Sequence, residues 1–190
     1  TIYEVPLSLK KQRLDDVIAE RLGLDLPQPD MTSWTAMVNR VKHPSAGTAK
    51  IAVVGKYTDH IDSYKSIQES LIHGGIANDV KADIHWLSSE VFDNGEGVEK
   101  LKEYDGLLIP GGFGPRGVEG MLETIRWARE NQMPFFGICL GLQCAVIEFA
   151  RNVCGLEESH SSEFAEASSD PVICLLDSQL QVTTMGGTMR

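Results

Sequence analysis

The stretch Pro134-Phe135-Phe136-Gly137-Ile138-Cys139-Leu140-Gly141-Leu142-Gln143 decides how this chain is interpreted. An apolar, β-prone run leads directly into Cys139, which has a glycine two residues away on each side, and a helical pattern follows at once. This is the cysteine form of the G-x-S-x-G turn, which holds a nucleophile at a sharp strand-to-helix bend above a sheet. The glycines leave room for a strained bend and for a substrate. The free N–H groups of the new helix favour negative charge on the sulfur.

Length and composition are those of an ordinary globular chain. Its 190 residues are 42% hydrophobic and 23% charged, which is enough for one core and a small appendage. The net charge of −10 offers no basic surface to nucleic acid or an anionic membrane, so we expect neither as a partner. No apolar run approaches the roughly 18–20 residues that cross a bilayer, and no basic leader or initiator methionine precedes Thr1. We expect a cytoplasmic protein and a piece of a longer chain.

The four cysteines do not form a metal-binding pattern. None belongs to a C-x-x-C pair and no paired histidines accompany them, so we predict no zinc or other metal site. A disulfide framework is not expected in a core-rich chain of this length. Cys144 falls on the helix after the bend, Cys154 at the end of that helix, and Cys174 in a predicted buried strand; we interpret all three as unreactive core or near-surface thiols. Only Cys139 has a turn built around it.

Residues 1–48 differ from the rest of the chain. The spacing of apolar residues predicts one helix over 8–22, ended by Gly23, and a second over 34–42. A flexible connection follows over 43–48. Two small amphipathic helices cannot form a core alone, so we interpret 1–48 as a helical linker that packs on another domain.

Residues 49–190 are predicted to form one α/β domain. Short apolar strands alternate with amphipathic helices, which predicts a mostly parallel sheet with helices on both faces. Ligands of such sheets bind beyond the carboxyl ends of the strands. The predicted strands span 51–54, 82–87, 106–109, 135–138 and 172–176. The predicted helices span 63–73, 98–104, 118–131 and 140–153, the first of them ended by Gly74 and Gly75.

A second glycine-rich segment, Pro110-Gly111-Gly112-Phe113-Gly114-Pro115-Arg116-Gly117, follows the third predicted strand. Gly112, Gly114 and Gly117 match G-x-G-x-x-G, but a dinucleotide fingerprint belongs in the first strand-to-helix turn, and Pro115 interrupts this one. A turn that merely requires glycine remains an alternative. We favour an oxyanion hole, in which Gly112 and Leu140 offer backbone N–H groups to a developing negative charge.

Together these two segments resemble the class I (triad-type) glutamine amidotransferases. Flanking segments are similar to the CTP synthase family in particular: Val54-Gly55-Lys56-Tyr57, Ser63-Tyr64-Lys65-Ser66, the segment from Pro110 to Gly120, Ser162-Glu163-Phe164 and Gly186-Gly187-Thr188-Met189-Arg190. The stretches 2–7 and 14–16 resemble the end of that family's synthetase domain and its linker. The resemblance covers nearly the whole chain and implies a flavodoxin-like α/β fold.

The resemblance implies glutamine-dependent amination of UTP to CTP, driven by ATP and Mg²⁺. Cys139 would attack L-glutamine, release ammonia and leave a glutamyl thioester for hydrolysis. The ATP, UTP and Mg²⁺ sites would belong to a synthetase domain outside this chain, so the chain itself is expected to hold no cofactor. The family further implies a homotetramer.

The resemblance also assigns binding roles. The residues expected to hold the substrate amide are Gly112, Leu140, Gly141, Leu142 and Gln143. Glu163 would bind the α-amino group and Arg190 the α-carboxylate, because opposite charges make strong hydrogen-bonded pairs. The segment associated with GTP, an allosteric activator, corresponds to Arg116, Gly117 and Glu119.

The sequence lacks one part of the family's pattern. A thiol nucleophile needs a histidine base, and the family supplies it in a His-x-Glu pair downstream of the segment that ends at Arg190. Among the histidines present, only His160 lies near Glu163, and we do not expect it to be the base. We therefore expect slow glutamine hydrolysis by these 190 residues alone, since general acid–base catalysis contributes ~10²–10⁴-fold.

Two other interpretations of the same sheet stay open. A DJ-1-like protein would use the bend cysteine to sense oxidants or to handle aldehydes. A pseudo-amidotransferase would keep the fold as a non-catalytic binding module. Glutamine analogues that alkylate Cys139 would separate the first of these from an amidotransferase.

Overall fold

The structure, a computed structural model, describes residues 1–165 and 168–176. Its α-helices are α1 (Val5–Lys11), α2 (Leu14–Leu22), α3 (Thr32–Lys42), α4 (Lys65–Ala77), α5 (Val118–Glu130) and α6 (Leu140–Asn152). Its strands are β1 (Thr48–Gly55), β2 (Lys81–Ser88), β3 (Gly106–Ile109), β4 (Phe135–Gly137), β5 (Ser159–Ser161) and β6 (Asp170–Ile173). Short 3₁₀ helices span Ile2–Glu4, Ile61–Tyr64, Ser89–Phe92 and Val98–Glu103. The predicted alternation of strands and helices after residue 49 is confirmed.

The sheet places the ends of three strands side by side. Its strand order is β2-β1-β3-β4, with β1 and β3 parallel, and β3 and β4 parallel. Val53 pairs with Leu108, and Ile109 pairs with Gly137. The carboxyl ends of β1, β3 and β4 therefore meet at one edge, where a parallel sheet binds its ligands.

The core of this part lies between the sheet and helices α5 and α6. Continuous apolar runs in β1 and β3 are buried, as expected for strands covered on both faces. Helix α5 buries Met121 and Ile125, and helix α6 buries Leu140, Cys144 and Ile147. This spacing of three and four residues sets one face of each helix on the core.

Three differences from the sequence predictions have local causes. The helix predicted over 8–22 is two helices, because Arg13 adopts a left-handed conformation with φ of 58°. Helix α4 continues through Gly74 and Gly75 to Ala77. Gly75 does not end the helix but leaves space for the Val80 carbonyl oxygen, which would lie 2.6 Å from a Cβ at this position. The last predicted strand ends at Ile173, which leaves Cys174 exposed.

The chain forms two compact units. One comprises Thr1–Ala49 with Glu69–Ala82, and the other comprises Lys50–Gln68 with Asp83–Arg190. The division into a linker over 1–48 and a domain over 49–190 stays a prediction. Within the described ranges, none of the helices is both long enough and apolar enough to pass through a membrane.

Candidate active site

The strand-to-helix bend at Cys139 is sharply strained. Strand β4 ends at Gly137, and Cys139 is the residue before helix α6, with φ of 53° and ψ of −107°. Positive φ is costly for a residue with a side chain, and such strain concentrates at functional sites. The backbone of the bend is closed by a hydrogen bond of 2.9 Å from the Gly141 N–H to the Ile138 carbonyl oxygen. The predicted bend is thus present in the structure.

Both glycines of the bend are required by space. A Cβ on Gly137 would lie 2.6 Å from the carbonyl carbon of Gly141. A Cβ on Gly141 would overlap the Ile109 carbonyl oxygen and lie 2.9 Å from its carbonyl carbon. The chain therefore folds back on itself here so closely that only glycine fits at either position.

The bend separates two thiols that are five residues apart. Cys139 is exposed at the start of α6, whereas Cys144 is fully buried on the core side of the same helix. Burial raises the pKa of Cys144 to about 12. A protonated, enclosed thiol is inert, because only the thiolate is nucleophilic. Of the three cysteines interpreted as unreactive core or near-surface thiols, Cys144 is buried, whereas Cys154 and Cys174 are exposed.

The glycine-rich loop after β3 lies against the bend. A Cβ placed on Gly111 would be 3.5 Å from the Cβ of Cys139 and 4.0 Å from its Sγ. A Cβ on Gly112 would be 3.4 Å from Cδ2 of Leu140. The structure therefore brings Cys139 together with Gly112 and Leu140, the two residues that the sequence predicts for the oxyanion hole.

A cleft of about 320 Å³ opens over this junction. Its described lining residues come from the ends of β1 and β3, the 3₁₀ helix before α4 and the bend: Tyr57, Ser63, Tyr64, Gly111, Gly112, Phe113 and Cys139. None of these seven is a histidine. The cleft is at the carboxyl edge of the parallel strands, where a substrate is expected.

Lys56 and Tyr57, which the sequence analysis left without a role, hold the loop. The Lys56 ammonium donates to the carbonyl oxygens of Phe113, at 3.2 Å, and of Gly114. Lys56 is only 5% exposed, and burial lowers the pKa of its ammonium. The Tyr57 hydroxyl accepts the Phe113 N–H at 3.2 Å. Their position directly after a buried strand places Lys56 and Tyr57 at the carboxyl edge of the sheet, but nothing in the sequence pairs them with Phe113.

The segment around Glu163 lies near Lys56. The ring centroid of Phe164 is 5.7 Å from the Lys56 Nζ. Glu163 is exposed, its backbone N–H donates to the Ser161 hydroxyl at 3.2 Å, and its charge acts on Lys56. His160 packs edge-on to Phe164 and does not line the cleft. Burial lowers the pKa of His160.

The residues predicted for GTP lie beside the loop and at the start of α5. Arg116 donates to the Lys56 carbonyl oxygen at 3.0 Å and pairs with Glu90. Gly117 has φ of 66° and packs against Ser89. Glu119 pairs with Arg151 at 3.1 Å. These charges already have protein partners in the structure.

The remaining predicted site residues have different surroundings. Gly141 is buried in the bend, Leu142 is 59% exposed, and the Gln143 N–H donates to the Cys139 carbonyl oxygen at 3.0 Å. Arg190 lies outside the described residues. Within the described part of the chain, no group of three or more His, Cys, Asp or Glu side chains is placed to hold a metal ion.

Comparison with known proteins identifies the family. The glutamine amidotransferase class-I family matches residues 59–189. The chain is similar to the CTP synthase of Ruminiclostridium cellulolyticum (53% identity over 189 residues, 100% of this chain and 35% of that protein). It is also similar to the CTP synthase of Methanocaldococcus jannaschii (50% identity over 196 residues, 100% of this chain and 36% of that protein). The chain thus spans about a third of the length of the curated relatives it matches.

A solved structure agrees with these matches. It is that of the glutaminase domain of Trypanosoma brucei CTP synthase with bound acivicin, to which the chain is 39% identical with a TM-score of 0.66. The match covers 69% of this chain and 51% of that one. It confirms the predicted α/β fold and favours neither the DJ-1-like nor the pseudo-amidotransferase interpretation. With its bend cysteine, its glycine loop and these relatives, the chain belongs to the class-I glutamine amidotransferase family.

Proposed function

We propose that Cys139 hydrolyses L-glutamine and that the ammonia released aminates UTP to CTP in the protein to which this chain belongs. The observation that carries the proposal is the contact of an exposed, strained cysteine with a glycine loop at the carboxyl edge of the sheet. The similarity to CTP synthases over 100% of the chain supports the second half of the proposal.

The chemistry requires a nucleophile, transfer of its proton to the leaving nitrogen, and stabilisation of one oxyanion. The Cys139 sulfur adds to the glutamine carboxamide carbon, and the N–H groups of Gly112 and Leu140 stabilise the negative oxygen. The nitrogen then gains the proton that the thiol gave up, the C–N bond breaks, and ammonia leaves. Water attacks the thioester, the C–S bond breaks, and glutamate and the free thiol are formed.

The ends of the substrate need charged partners. We propose Glu163 for the α-amino group and Arg190 for the α-carboxylate, as opposite charges form strong hydrogen-bonded pairs. The amide would contact Gly141, Leu142 and Gln143 as well as the oxyanion donors. These roles rest on the match of the motifs to the family.

The remaining parts of the reaction belong to the longer protein. We assign ATP, UTP and Mg²⁺ to a synthetase domain in the portion of the relatives that this chain does not match, and a tetramer to the whole enzyme. GTP would activate it through Arg116, Gly117 and Glu119, which would require their present ion pairs to rearrange. A cytoplasmic location is consistent with four free cysteines.

Labelling with a glutamine chloroketone or diazo-ketone tests the proposed reaction of Cys139 with glutamine. We expect one adduct per chain by intact mass, on Cys139 by peptide mapping, and slower labelling in the presence of glutamine. Cys139→Ala should abolish the adduct, and Cys154→Ala, which removes another exposed thiol, should leave it unchanged. Labelling elsewhere, or labelling indifferent to glutamine, would contradict the proposal.

The second half is tested in the intact protein by changing the nitrogen source. Cys139→Ala should abolish CTP formation from glutamine while CTP formation from ammonium chloride persists, because free ammonia bypasses the thiol. Loss of both reactions, or of neither, would show that this site does not supply nitrogen for CTP.

A further inference from the structure

In the part of the chain that the structure describes, the hydrogen bonds that hold the loop from Gly111 to Gly114 come from side chains. Among the described residues, no backbone-to-backbone hydrogen bond reaches these four residues. The preceding strand β3 still pairs with β4, and the Ile138 N–H donates to the Ile109 carbonyl oxygen at 2.9 Å. The ladder of the sheet therefore ends just before the loop that lies against Cys139.

The side chains of the two residues that follow β1 hold the loop by hydrogen bonds where the sheet no longer does. The Lys56 ammonium donates to the carbonyl oxygens of Phe113 and Gly114. The Tyr57 hydroxyl accepts the Phe113 N–H at 3.2 Å. Both polar backbone groups of Phe113 are thereby occupied, one by each side chain.

The backbone of Tyr57 is in turn held by the buried side chain of Tyr64. The Tyr64 hydroxyl accepts the backbone N–H of Lys56 at 3.1 Å and that of Tyr57 at 3.3 Å. Tyr64 is 3% exposed and stacks on Trp86 with ring centroids 5.5 Å apart. A Cβ on Gly55 would lie 2.7 Å from the Tyr64 hydroxyl, so the strand passes it as closely as glycine allows. The position of Tyr57 is therefore set from within the core.

We propose that Tyr57 is a positioning residue for glutamine hydrolysis, acting on the loop from Gly111 to Gly114 through its hydrogen bond with the Phe113 N–H. The proposal rests on the proposed function of Cys139. The Phe113 N–H belongs to the peptide unit that follows Gly112, and glycine has no side chain to restrict rotation about its own backbone bonds. Strand β3 fixes the chain on the other side of these glycines, so holding this peptide unit restricts them from both ends and keeps the Gly112 N–H directed at the charge that develops beside Cys139. Without it, each catalytic cycle must select the correct loop conformation from several.

Tyr57→Phe tests this inference, because it removes one oxygen and keeps the ring in the cleft. In the intact protein we expect kcat for glutamine hydrolysis to fall about threefold to tenfold, the range of one hydrogen bond. The KM for glutamine should change less than about twofold, since the oxyanion exists only after substrate has bound. Tyr104→Phe, a matched change at another half-buried tyrosine outside the cleft, should leave both constants unchanged.

A second measurement separates positioning from general loosening of the site. Simple alkylation of Cys139 by iodoacetamide forms no oxyanion, so its rate should be the same in Tyr57→Phe and in the unmodified protein. Unchanged kcat in Tyr57→Phe, a loss expressed only in KM, or an equal fall in iodoacetamide reactivity would each overturn the inference. If the unmodified protein releases no glutamate from glutamine, the proposed function itself fails, and that result is distinct from all three.

Discussion

Two glycine-rich segments meet at Cys139, and they are held in place by different forces. The bend from Gly137 to Gly141 is fixed by packing, because a side chain at either glycine would overlap the backbone. The loop after β3 is fixed by the side chains of Lys56 and Tyr57, and at its Gly114, where φ is 75°, a Cβ would meet nothing within 4 Å. Glycine is therefore required in the bend because a side chain has no room there, and at Gly114 of the loop because φ is positive.

We therefore expect changes in the bend to affect the stability of the fold and changes in the loop to affect the rate of glutamine hydrolysis. Backbone atoms cannot move aside for a new side chain without disturbing the sheet, so changes in the bend should alter the free energy of unfolding. Side-chain hydrogen bonds contribute about 1 kcal/mol each and can be lost while the core is kept. Lys56 and Tyr57 form the clamp on the loop, and changes in this clamp should instead alter the rate of glutamine hydrolysis.

The largest effect is expected for Gly141→Ala. The new methyl group would overlap the Ile109 carbonyl oxygen at the end of β3. We expect a loss of about 3 kcal/mol, the upper range for overpacking. For a chain of this size that corresponds to a fall of about 6–12 °C in the thermal unfolding midpoint, measured by circular dichroism.

Gly114→Ala is the matched control for that variant. It adds the same methyl group where there is open space, and only its positive φ of 75° opposes the change. We expect a cost of about 1 kcal/mol, or about 2–4 °C in the midpoint. Equal midpoints for the two variants would show that packing does not distinguish the bend from the loop.

The bend was predictable from sequence because its determinants are local. A β-prone run, Gly137, Cys139, Gly141 and a helical pattern lie within ten residues. Strands β1, β3 and β4 were predictable for the same reason, as each is a short continuous apolar run. Strand β5 was missed because it is three polar residues long.

The clamp on the loop was not predictable, because it joins distant parts of the chain. Lys56 and Tyr57 precede Phe113 by 57 and 56 residues, and their hydrogen bonds follow from β1 and β3 being neighbours in the sheet. The continuation of α4 through Gly75 was not predicted for a different reason. A glycine that ends a helix and one that lets another segment pass closely look alike in sequence, and only the position of Val80 tells them apart.

A smaller effect, on rate, is expected for Lys56→Met. The substitution removes the donor to the Phe113 and Gly114 carbonyl oxygens while filling much of the same volume. Relief of the cost of burying a charge should offset the lost hydrogen bonds, so the free energy of unfolding should change by less than about 1 kcal/mol. We expect kcat for glutamine hydrolysis to fall about tenfold in the intact protein.

The exposed residue Lys102 provides the control for that substitution. Lys102→Met removes the same charge from the surface, so it should change neither kcat nor the unfolding midpoint. If Lys56→Met lowers stability by several kcal/mol while kcat per folded molecule is kept, the clamp serves the fold rather than the reaction.

The smallest effect is a dependence of stability on pH that comes from Lys56. Burial lowers the pKa of its ammonium from the ordinary value of 10.5. Between the lowered pKa and pH 10.5, the native state has released a proton that the unfolded state still binds. Since the unfolded state then binds more protons, the free energy of unfolding must rise with pH in that window. At lower pH both states are protonated, and Lys56 contributes no slope.

Urea denaturation of the unmodified protein and of Lys56→Met, in parallel up to about pH 10, isolates this contribution. Tyr3, Tyr64 and Tyr104 have raised pKa values and lower the stability at still higher pH, but they are present in both proteins and cancel in the difference. We expect the stability of the unmodified protein relative to Lys56→Met to increase as pH rises. A flat difference would mean that the loop carbonyl oxygens stabilise the ammonium as well as water does, and a difference that falls with pH would mean that they stabilise it better. Either result would mean that the hydrogen bonds of Lys56 offset the cost of its burial, and it would weaken the contrast between the loop and the bend.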